Sequence, residues 1–255
     1  PDEVRVNRIV FGGNETEYEN LIIPGYASNS YEPYFLQTNI KGIQDDQIVI
    51  DSSYKNYKRS ILAYPTLVSK GINNPLIGNS TSNTSFLIKK DVDSWEVIPG
   101  EWTIKSPIII NGSLRINEDT HLKFSRDSYL IVKGEIEFIG SKSRPIIFDS
   151  LGSEWKGIYV LSDKRNKSIL QNVTFKDTIG LSDGLLSLSG GVNIYGGNVD
   201  IKEVNIEGST AEDALNIINS SVNINGLNIK NTISDAFDCD YCIGKITNSK
   251  FSYIN

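Results

Sequence analysis

Apolar and polar positions alternate in short runs through the second half of the chain, and the same run returns at a nearly constant interval. Successive segments each hold three apolar-polar-apolar triplets, and matching triplets lie 22 or 23 residues apart. The first triplets of three such segments are Val192–Ile194, Leu215–Ile217 and Phe237–Cys239. In a β-strand this alternation puts the outer residues of a triplet on one face and the middle residue on the other. The repeat therefore predicts a solenoid with three short strands per coil, stacked around an apolar column as a parallel β-helix.

The corner between the second and third strands of each coil supports this prediction. It is two residues long in four successive coils, where it reads Gln171-Asn172, Lys202-Glu203, Asn225-Gly226 and Thr247-Asn248. Asn and Gly, which predominate at the second position, tolerate the positive φ that a sharp bend demands, and Glu203 fits this pattern least well. Antiparallel hairpins would not keep one corner at constant length through successive repeats.

The first part of the chain does not share this repeat. Residues 1–94 are rich in tyrosine and proline, and Gln47–Asp51 and Ser60–Tyr64 read as strands. The fold class we predict is all-β, with a small N-terminal β domain over residues 1–94 and a parallel β-helix over residues 95–255. The last triplet ends shortly before Asn255 without a capping segment. We therefore expect either that the chain is a piece of a longer protein, with a further domain covering the open C-terminal coil, or that another chain covers it.

Five motifs between residues 112 and 158 resemble the opening coils of a known family. They are Gly112–Ile116, Asp119–Phe124, Gly134–Ile136, Pro145–Phe148 and Trp155–Ile158. They are similar to the right-handed β-helix surface and secreted proteins of the pectate-lyase-like superfamily, although Asp119 stands where that family has glycine. The resemblance covers about residues 95–255. It implies a right-handed single-stranded parallel β-helix and a secreted or cell-surface location.

The same resemblance leaves enzymatic activity uncertain, because one fold hosts many functions. The lyases of this superfamily hold calcium with carboxylates and use a nearby Arg or Lys as the base. No arginine follows Arg165 in this chain. The hydrolases combine clustered aspartates with a downstream histidine, whereas His121 is the single histidine here and precedes the acidic coils.

Composition excludes two classes of partner. The 255 residues carry a net charge of −6, which argues against the basic stripe that nucleic acid requires. No apolar run approaches the 18 residues of a membrane span.

One candidate binding surface follows from the outward positions of the first strand in each coil. These positions hold Tyr159, Asn193, Asn216 and Asp238, with Asp240 on the same face. An aromatic ring followed by amides and carboxylates suits a sugar chain, which stacks on rings and hydrogen-bonds along its edges. The alternative is asparagine stacking on a solvated face of the solenoid.

A second candidate is an acidic column at the corner before that strand. Asp213 and Asp235 align there, with Glu212 beside the first. Carboxylates together with backbone carbonyls can hold calcium, which takes six to eight oxygen ligands. Calcium is therefore the one cofactor that the sequence suggests. Plain solvated acids, or an acid pair for general acid–base chemistry, are the alternatives.

Two further features leave alternatives open. Cys239 and Cys242 are the only cysteines; burial as free thiols is the favoured interpretation, and a local disulfide is the alternative. The coil after Ile158 is longer than the others, and its surplus lies near Lys176–Gly191. Such an excursion walls a groove or, through its leucines, forms a small packed flap.

These features favour a secreted or surface-exposed β-helix that binds polysaccharide in an adhesive or recognition role. The first alternative is a polysaccharide lyase, epimerase or hydrolase with part of its site beyond Asn255. The second is a purely structural fibre or tail component, which needs no site.

Overall fold

The structure is a computed structural model, and it describes residues 4–11, 14–23, 48–55, 57–63, 84–162, 166–184 and 186–254. All regular structure in these residues is β-strand, as predicted. The chain divides into two compact units, residues 1–72 and 73–255. Within the described ranges there is no helix long and apolar enough to cross a membrane.

The first unit contains a small antiparallel sheet, which confirms the predicted β character of this region. Its strands are β1 (Val4–Phe11), β2 (Asn14–Ile23), β3 (Ile48–Tyr54) and β4 (Tyr57–Ala63). Their order in the sheet is β2-β1-β3-β4. Strands β3 and β4 overlap the two segments that the sequence predicts as strands, of which Gln47 and Tyr64 lie outside the described residues. The remaining tyrosine-rich segments lie outside the described residues.

The second unit begins with an antiparallel hairpin and continues as a parallel solenoid of about seven turns. The hairpin consists of β5 (Leu87–Asp91) and β6 (Ser94–Val97). The next strands are β7 (Gly100–Ile104), β8 (Ile108–Asn111), β9 (Ser113–Asn117), β10 (Thr120–Phe124), β11 (Leu130–Lys133), β12 (Ile136–Ile139), β13 (Ile146–Ser150) and β14 (Ile158–Leu161). The remaining strands are β15 (Lys167–Lys176), β16 (Ser182–Asp183), β17 (Leu186–Ser187), β18 (Gly190–Tyr195), β19 (Asn198–Glu207), β20 (Asp213–Ile218), β21 (Ser221–Thr232), β22 (Asp235–Asp240), β23 (Ile243–Thr247) and β24 (Lys250–Ile254).

Each coil contributes one strand to each of three parallel sheets. Sheet 1 has the order β22-β20-β18-β14-β11-β8. Sheet 2 runs from β6 and β9 through β12 and the first halves of β15, β19 and β21 to β23. Sheet 3 runs from β7 through β10, β13 and the second halves of β15, β19 and β21 to β24. The predicted parallel β-helix is thereby confirmed.

The apolar column is continuous because inward residues of successive coils pair in register. Val192 pairs with Leu215, and Leu215 with Phe237. Aromatic rings fill the middle of the column, where the Phe124 and Trp155 rings stack at 4.1 Å between centroids. Each fully buried aliphatic or aromatic side chain contributes about 1.5–3 kcal/mol relative to exposure, so this column provides most of the driving force for stacking.

The two-residue corners between sheets 2 and 3 adopt the predicted left-handed conformation. The φ angles are 50° at Asn172, 52° at Glu203, 82° at Gly226 and 49° at Asn248. Asn172 also donates its side-chain amide to the carbonyl of Gly140 at 3.1 Å, which secures this corner. Glu203 adopts the same left-handed conformation, although a positive φ costs Glu more than it costs Asn or Gly.

The favoured interpretation of the cysteines is wrong. Cys239 and Cys242 form a disulfide, with their Cα atoms 5.7 Å apart. Cys239 lies beside Ile217 at an inward position of β22, and Tyr241 between the cysteines has a φ of 54°. The left-handed residue turns the chain back so that Cys242 packs against the same column. The bridge therefore joins the end of a sheet 1 strand to the start of a sheet 2 strand.

Candidate functional site

The outward positions of sheet 1 form the predicted ladder. Tyr159 pairs with Asn193, Asn193 with Asn216, and Asn216 with Asp238, and Asp240 pairs with Ile218. Adjacent strands lie about 4.8 Å apart, so these side chains are stacked neighbours. We call Tyr159, Asn193, Asn216 and Asp238 the outer ladder. The long excursion before β18 does not disturb its register.

The first three members of the outer ladder are covered. Tyr159 is 4 % exposed, Asn193 6 % and Asn216 7 %. The Asn193 amide donates to the Gly190 carbonyl at 2.7 Å, and its oxygen accepts the Gly190 N–H at 3.1 Å. This side chain therefore holds the chain at its entry into β18.

The cover is the excursion between β15 and β18, which we call the flap: residues 178–184 and 186–189. Its two-residue strands β16 and β17 pair as an antiparallel hairpin. Leu181 and Leu186 are buried against Tyr129, Ile131 and Tyr159 in an apolar cluster separate from the column. Of the two alternatives left open for this segment, the structure shows the packed flap. Tyr159 thus contributes its ring to the flap's core.

The acidic end of the ladder lies beyond the flap. Glu212, Asp235 and Asp240 are exposed, and Asp238 is half-buried. We call these four residues the acidic patch. Among the described residues, the Asp238 carboxylate accepts one hydrogen bond, from the Cys239 backbone N–H at 2.8 Å. No member of the patch forms an ion pair with any described residue. Tyr241, which follows Asp240, is 86 % exposed.

The predicted calcium ligands divide between a buried and an exposed position. Asp213 pairs with Asp235 in neighbouring coils, as predicted, and the Asp235 N–H donates to the Glu212 carbonyl at 2.9 Å. Asp213 is only 5 % exposed, and its Oδ2 accepts hydrogen bonds from Ser189 Oγ at 2.8 Å and Asn216 Nδ2 at 3.1 Å. In the part of the chain that the structure describes, no group of three or more His, Cys, Asp or Glu residues is placed to hold a metal. Calcium binding stays a prediction.

The outer faces of sheets 2 and 3 have a different character. Many of their charged residues are paired across neighbouring coils, as in Arg115–Glu137 at 2.5 Å on sheet 2. On sheet 3, Lys230 lies 3.0 Å from Glu207. Such exposed pairs are each worth less than about 1 kcal/mol and are typical of a solvated solenoid wall. On sheet 1, by contrast, no acidic residue of the acidic patch has such a partner among the described residues.

A second cluster, which was not predicted from the sequence, lies on the outer side of sheet 3. His121 Nε2 is 3.4 Å from Asp149 Oδ2, and the Ser150 hydroxyl donates to Asp177 Oδ2 at 3.4 Å. Burial, and then the nearby negative charge of Asp149, raise the pKa of Asp177 above its ordinary value. Asp149 and Asp177 belong to successive coils, and no short motif joins them. Only the three-dimensional stacking brings them together.

Comparisons with protein-family models, with curated proteins and with solved structures find no match to this chain. The parallel β-solenoid is established by its own strand register. The narrower resemblance to the pectate-lyase-like superfamily stays a prediction.

Proposed function

We propose that the protein is a secreted or surface β-helix that binds a polysaccharide through the outer face of sheet 1. The observation that carries this proposal is the row of acidic residues without ion-pair partners at the exposed end of the outer ladder. On sheets 2 and 3 many charged residues pair with one another, as Arg115 does with Glu137 and Lys230 with Glu207. On sheet 1 the acidic patch has no such partners among the described residues, which favours contact with a ligand.

The chemistry of this end suits a sugar chain. Carboxylates accept hydrogen bonds from hydroxyl groups, and the exposed ring of Tyr241 offers an apolar surface next to Asp240. Asp235, Asp238 and Asp240 lie along strand β22, so the carboxylates beyond the flap follow one another along this strand. A linear polymer can follow such a row. The rigid sheet also reduces the entropy that binding costs.

The disulfide is consistent with the proposed location. Disulfides persist in oxidising environments such as the cell exterior and are rare in the cytosol. Cys239 and Cys242 form one at the same end of the solenoid that bears the acidic patch. The expression host for any test must therefore oxidise this pair.

A glycan array tests the proposal. We expect binding to at least one polysaccharide class, and we expect Tyr241→Ala to weaken it because a stacking surface is lost. Tyr57→Ala is the matched control, since Tyr57 is also highly exposed but lies in the first unit. If no glycan on the array binds, the structural fibre or tail component becomes the better interpretation.

A second candidate function is polysaccharide hydrolysis at the Asp149–Asp177 cluster. The observation that favours it is a carboxyl group with a raised pKa beside a second carboxylate, which is the arrangement that general acid–base catalysis requires. We would expect chain breakdown to be lost in Asp177→Asn and retained in Asp200→Asn, whose carboxylate pairs with Lys167 on sheet 2. Reducing-end release from a panel of polysaccharides measures this activity.

A further inference from the structure

We propose that Asn111 is a site of spontaneous covalent modification, at which the side-chain amide is lost as ammonia and the residue becomes aspartate or isoaspartate. Asn111 is the last residue of β8, at the corner that leads into β9, and Gly112 follows it. This inference goes beyond the proposed function, because the reaction needs no ligand.

The reaction uses only the chain and water. The backbone nitrogen of Gly112 attacks Cγ of Asn111, and the bond from Cγ to the amide nitrogen breaks. The attacking nitrogen gives up its proton, the departing amide gains one, and ammonia leaves a succinimide ring behind. Water then opens either carbonyl group of the ring. One opening gives aspartate, and the other gives isoaspartate, in which the main chain passes through the former side chain. Glycine favours the attack because it has no Cβ to obstruct the approach.

The chain contains two Asn-Gly pairs, and the fold holds them differently. Asn111 is exposed, and its side chain forms no hydrogen bond with any described residue. In the second pair, Asn225 is half-buried, and its Oδ1 accepts hydrogen bonds from Asn248 Nδ2 at 2.8 Å and Thr247 Oγ1 at 3.4 Å. Because these bonds must break before Cγ can turn toward Gly226, the folded state protects the second pair and leaves the first reactive.

The charges beside the two pairs also differ. Lys133 is the in-register neighbour of Asn111 on the next coil, and the alternation of the strands puts both side chains on the outer side of sheet 1. The attack places negative charge on the Asn111 amide oxygen, which a nearby ammonium group stabilises. Gly226 lies instead beneath the side chain of Glu203, since a Cβ on Gly226 would be 2.5 Å from Glu203 Oε1. That carboxylate opposes the loss of a proton from the nitrogen of Gly226.

The modification has a structural consequence at the start of the solenoid. Gly112 packs against the turn between β5 and β6, because a Cβ on Gly112 would lie 2.3 Å from the carbonyl oxygen of Asp93. The next residue, Ser113, donates its backbone N–H to the same oxygen at 2.8 Å. Isoaspartate adds one carbon atom to the main chain immediately before this contact. We expect the longer chain to displace Gly112 and loosen the hairpin, whereas aspartate leaves the length of the main chain unchanged.

Ageing of the folded, oxidised protein at mildly alkaline pH tests this proposal. Peptide mapping by mass spectrometry follows the conversion of amide to acid at Asn111 and Asn225 in the same sample. We expect Asn111 to react faster than Asn225 by about tenfold or more, and tenfold corresponds to about 1.4 kcal/mol of protection. In denaturant the two residues should react at similar rates, because both precede glycine. Asn111→Gln should stay unmodified over the same period, since the attack would have to close a larger ring.

Hydrogen exchange measures the structural consequence. The amides of β5 and β6 should exchange faster after ageing. Freshly prepared Asn111→Asp should keep the protection of the unaged protein, because it carries the new charge without the added main-chain atom. Equal rates at Asn111 and Asn225 in the folded protein, or a faster reaction at Asn225, would overturn the proposal. Asn111 that reacts in denaturant and stays intact in the folded protein would overturn it as well.

Discussion

The Tyr129 hydroxyl donates a 2.7 Å hydrogen bond to the carboxylate of Asp183, which follows it by 54 residues. Tyr129 immediately precedes strand β11 of sheet 1, and Asp183 lies in the flap hairpin. Together with the buried Leu181 and Leu186, this bond keeps the flap closed over Tyr159. The flap is thus bound to sheet 1 by both apolar packing and a polar contact.

This hydrogen bond predicts a pH dependence of stability. Burial, and then the bond to Asp183, raise the pKa of Tyr129 above its ordinary value of about 10. The folded state therefore favours the neutral phenol, and the resulting stability is present below pH 10 and is lost as the pH rises further. We expect Tyr129→Phe to be less stable than the wild type by about 1–2 kcal/mol at neutral pH, with a difference that shrinks above pH 10. Denaturant unfolding of the wild type and of Tyr129→Phe, at neutral pH and above pH 10, measures this difference in the free energy of unfolding. A difference that does not change with pH would contradict the prediction.

The apolar packing of the flap predicts a large effect for Leu181→Ala. Leu181 is completely buried in the cluster beneath the flap. Its truncation should lower the free energy of unfolding by about 2–5 kcal/mol, because it leaves a cavity. Leu151→Ala is the matched control, since Leu151 is 48 % exposed and should change stability by less than about 0.5 kcal/mol. Equal effects of the two variants would show that the flap does not pack as described.

The disulfide predicts a modest sensitivity to reductant. The two cysteines are three positions apart, and closing so short a loop is worth about 2 kcal/mol by the chain-entropy relation. We expect reduction to lower the free energy of unfolding by about this amount. The double variant Cys239→Ser with Cys242→Ser should start at the lower stability and not respond to reductant. A wild type indifferent to reductant would mean that the bridge does not form.

The acidic column predicts a response to calcium. If Asp213, Asp235 and Glu212 provide ligands, millimolar calcium raises the unfolding midpoint, because an ion that binds only the native state stabilises it by mass action. Asp235→Asn should remove this increase, whereas Asp200→Asn on sheet 2 should retain it. A midpoint that does not respond to calcium would refute the calcium prediction.

The corner at Glu203 predicts a stabilising substitution. Glu203 has a φ of 52°, a conformation that costs ordinary residues roughly 1 kcal/mol and that Asn tolerates better. Glu203→Asn should therefore raise the free energy of unfolding by about 0.5–1 kcal/mol. Asn172→Ala at the equivalent corner should lower it by about 1 kcal/mol or more, because it also removes the hydrogen bond to Gly140. Thermal unfolding of the two variants tests whether this corner position favours Asn. Glu203→Asn no more stable than the wild type would contradict the prediction.

The repeat was predictable because one physical requirement produces it. Inward positions must be apolar in every coil, so Ile158 could be aligned with Val192 across the long excursion, and the structure pairs them. The corner at Asn172 was predictable for a similar reason, since few residues accept its φ.

The cover over the outer ladder could not be predicted in the same way. Leu186 suits a groove wall as well as a packed flap until its contacts with Tyr159 are known. The state of Cys239 and Cys242 depends on a bend at Tyr241 that their spacing does not reveal. The Asp149–Asp177 cluster arises from burial and from the stacking of two coils, and neither is visible in a local pattern.

Strands β14 and β18 pair in uninterrupted register even though the flap is inserted between the coils to which they belong. A corner of this solenoid can therefore accept an added segment without any adjustment of the rungs on either side. The flap and the stacked strands are thus separable parts of the polypeptide. Exchanging the hairpin between Thr178 and Ser189 would change the side chains exposed over the outer face of sheet 1. The stacked strands beneath the hairpin would stay the same.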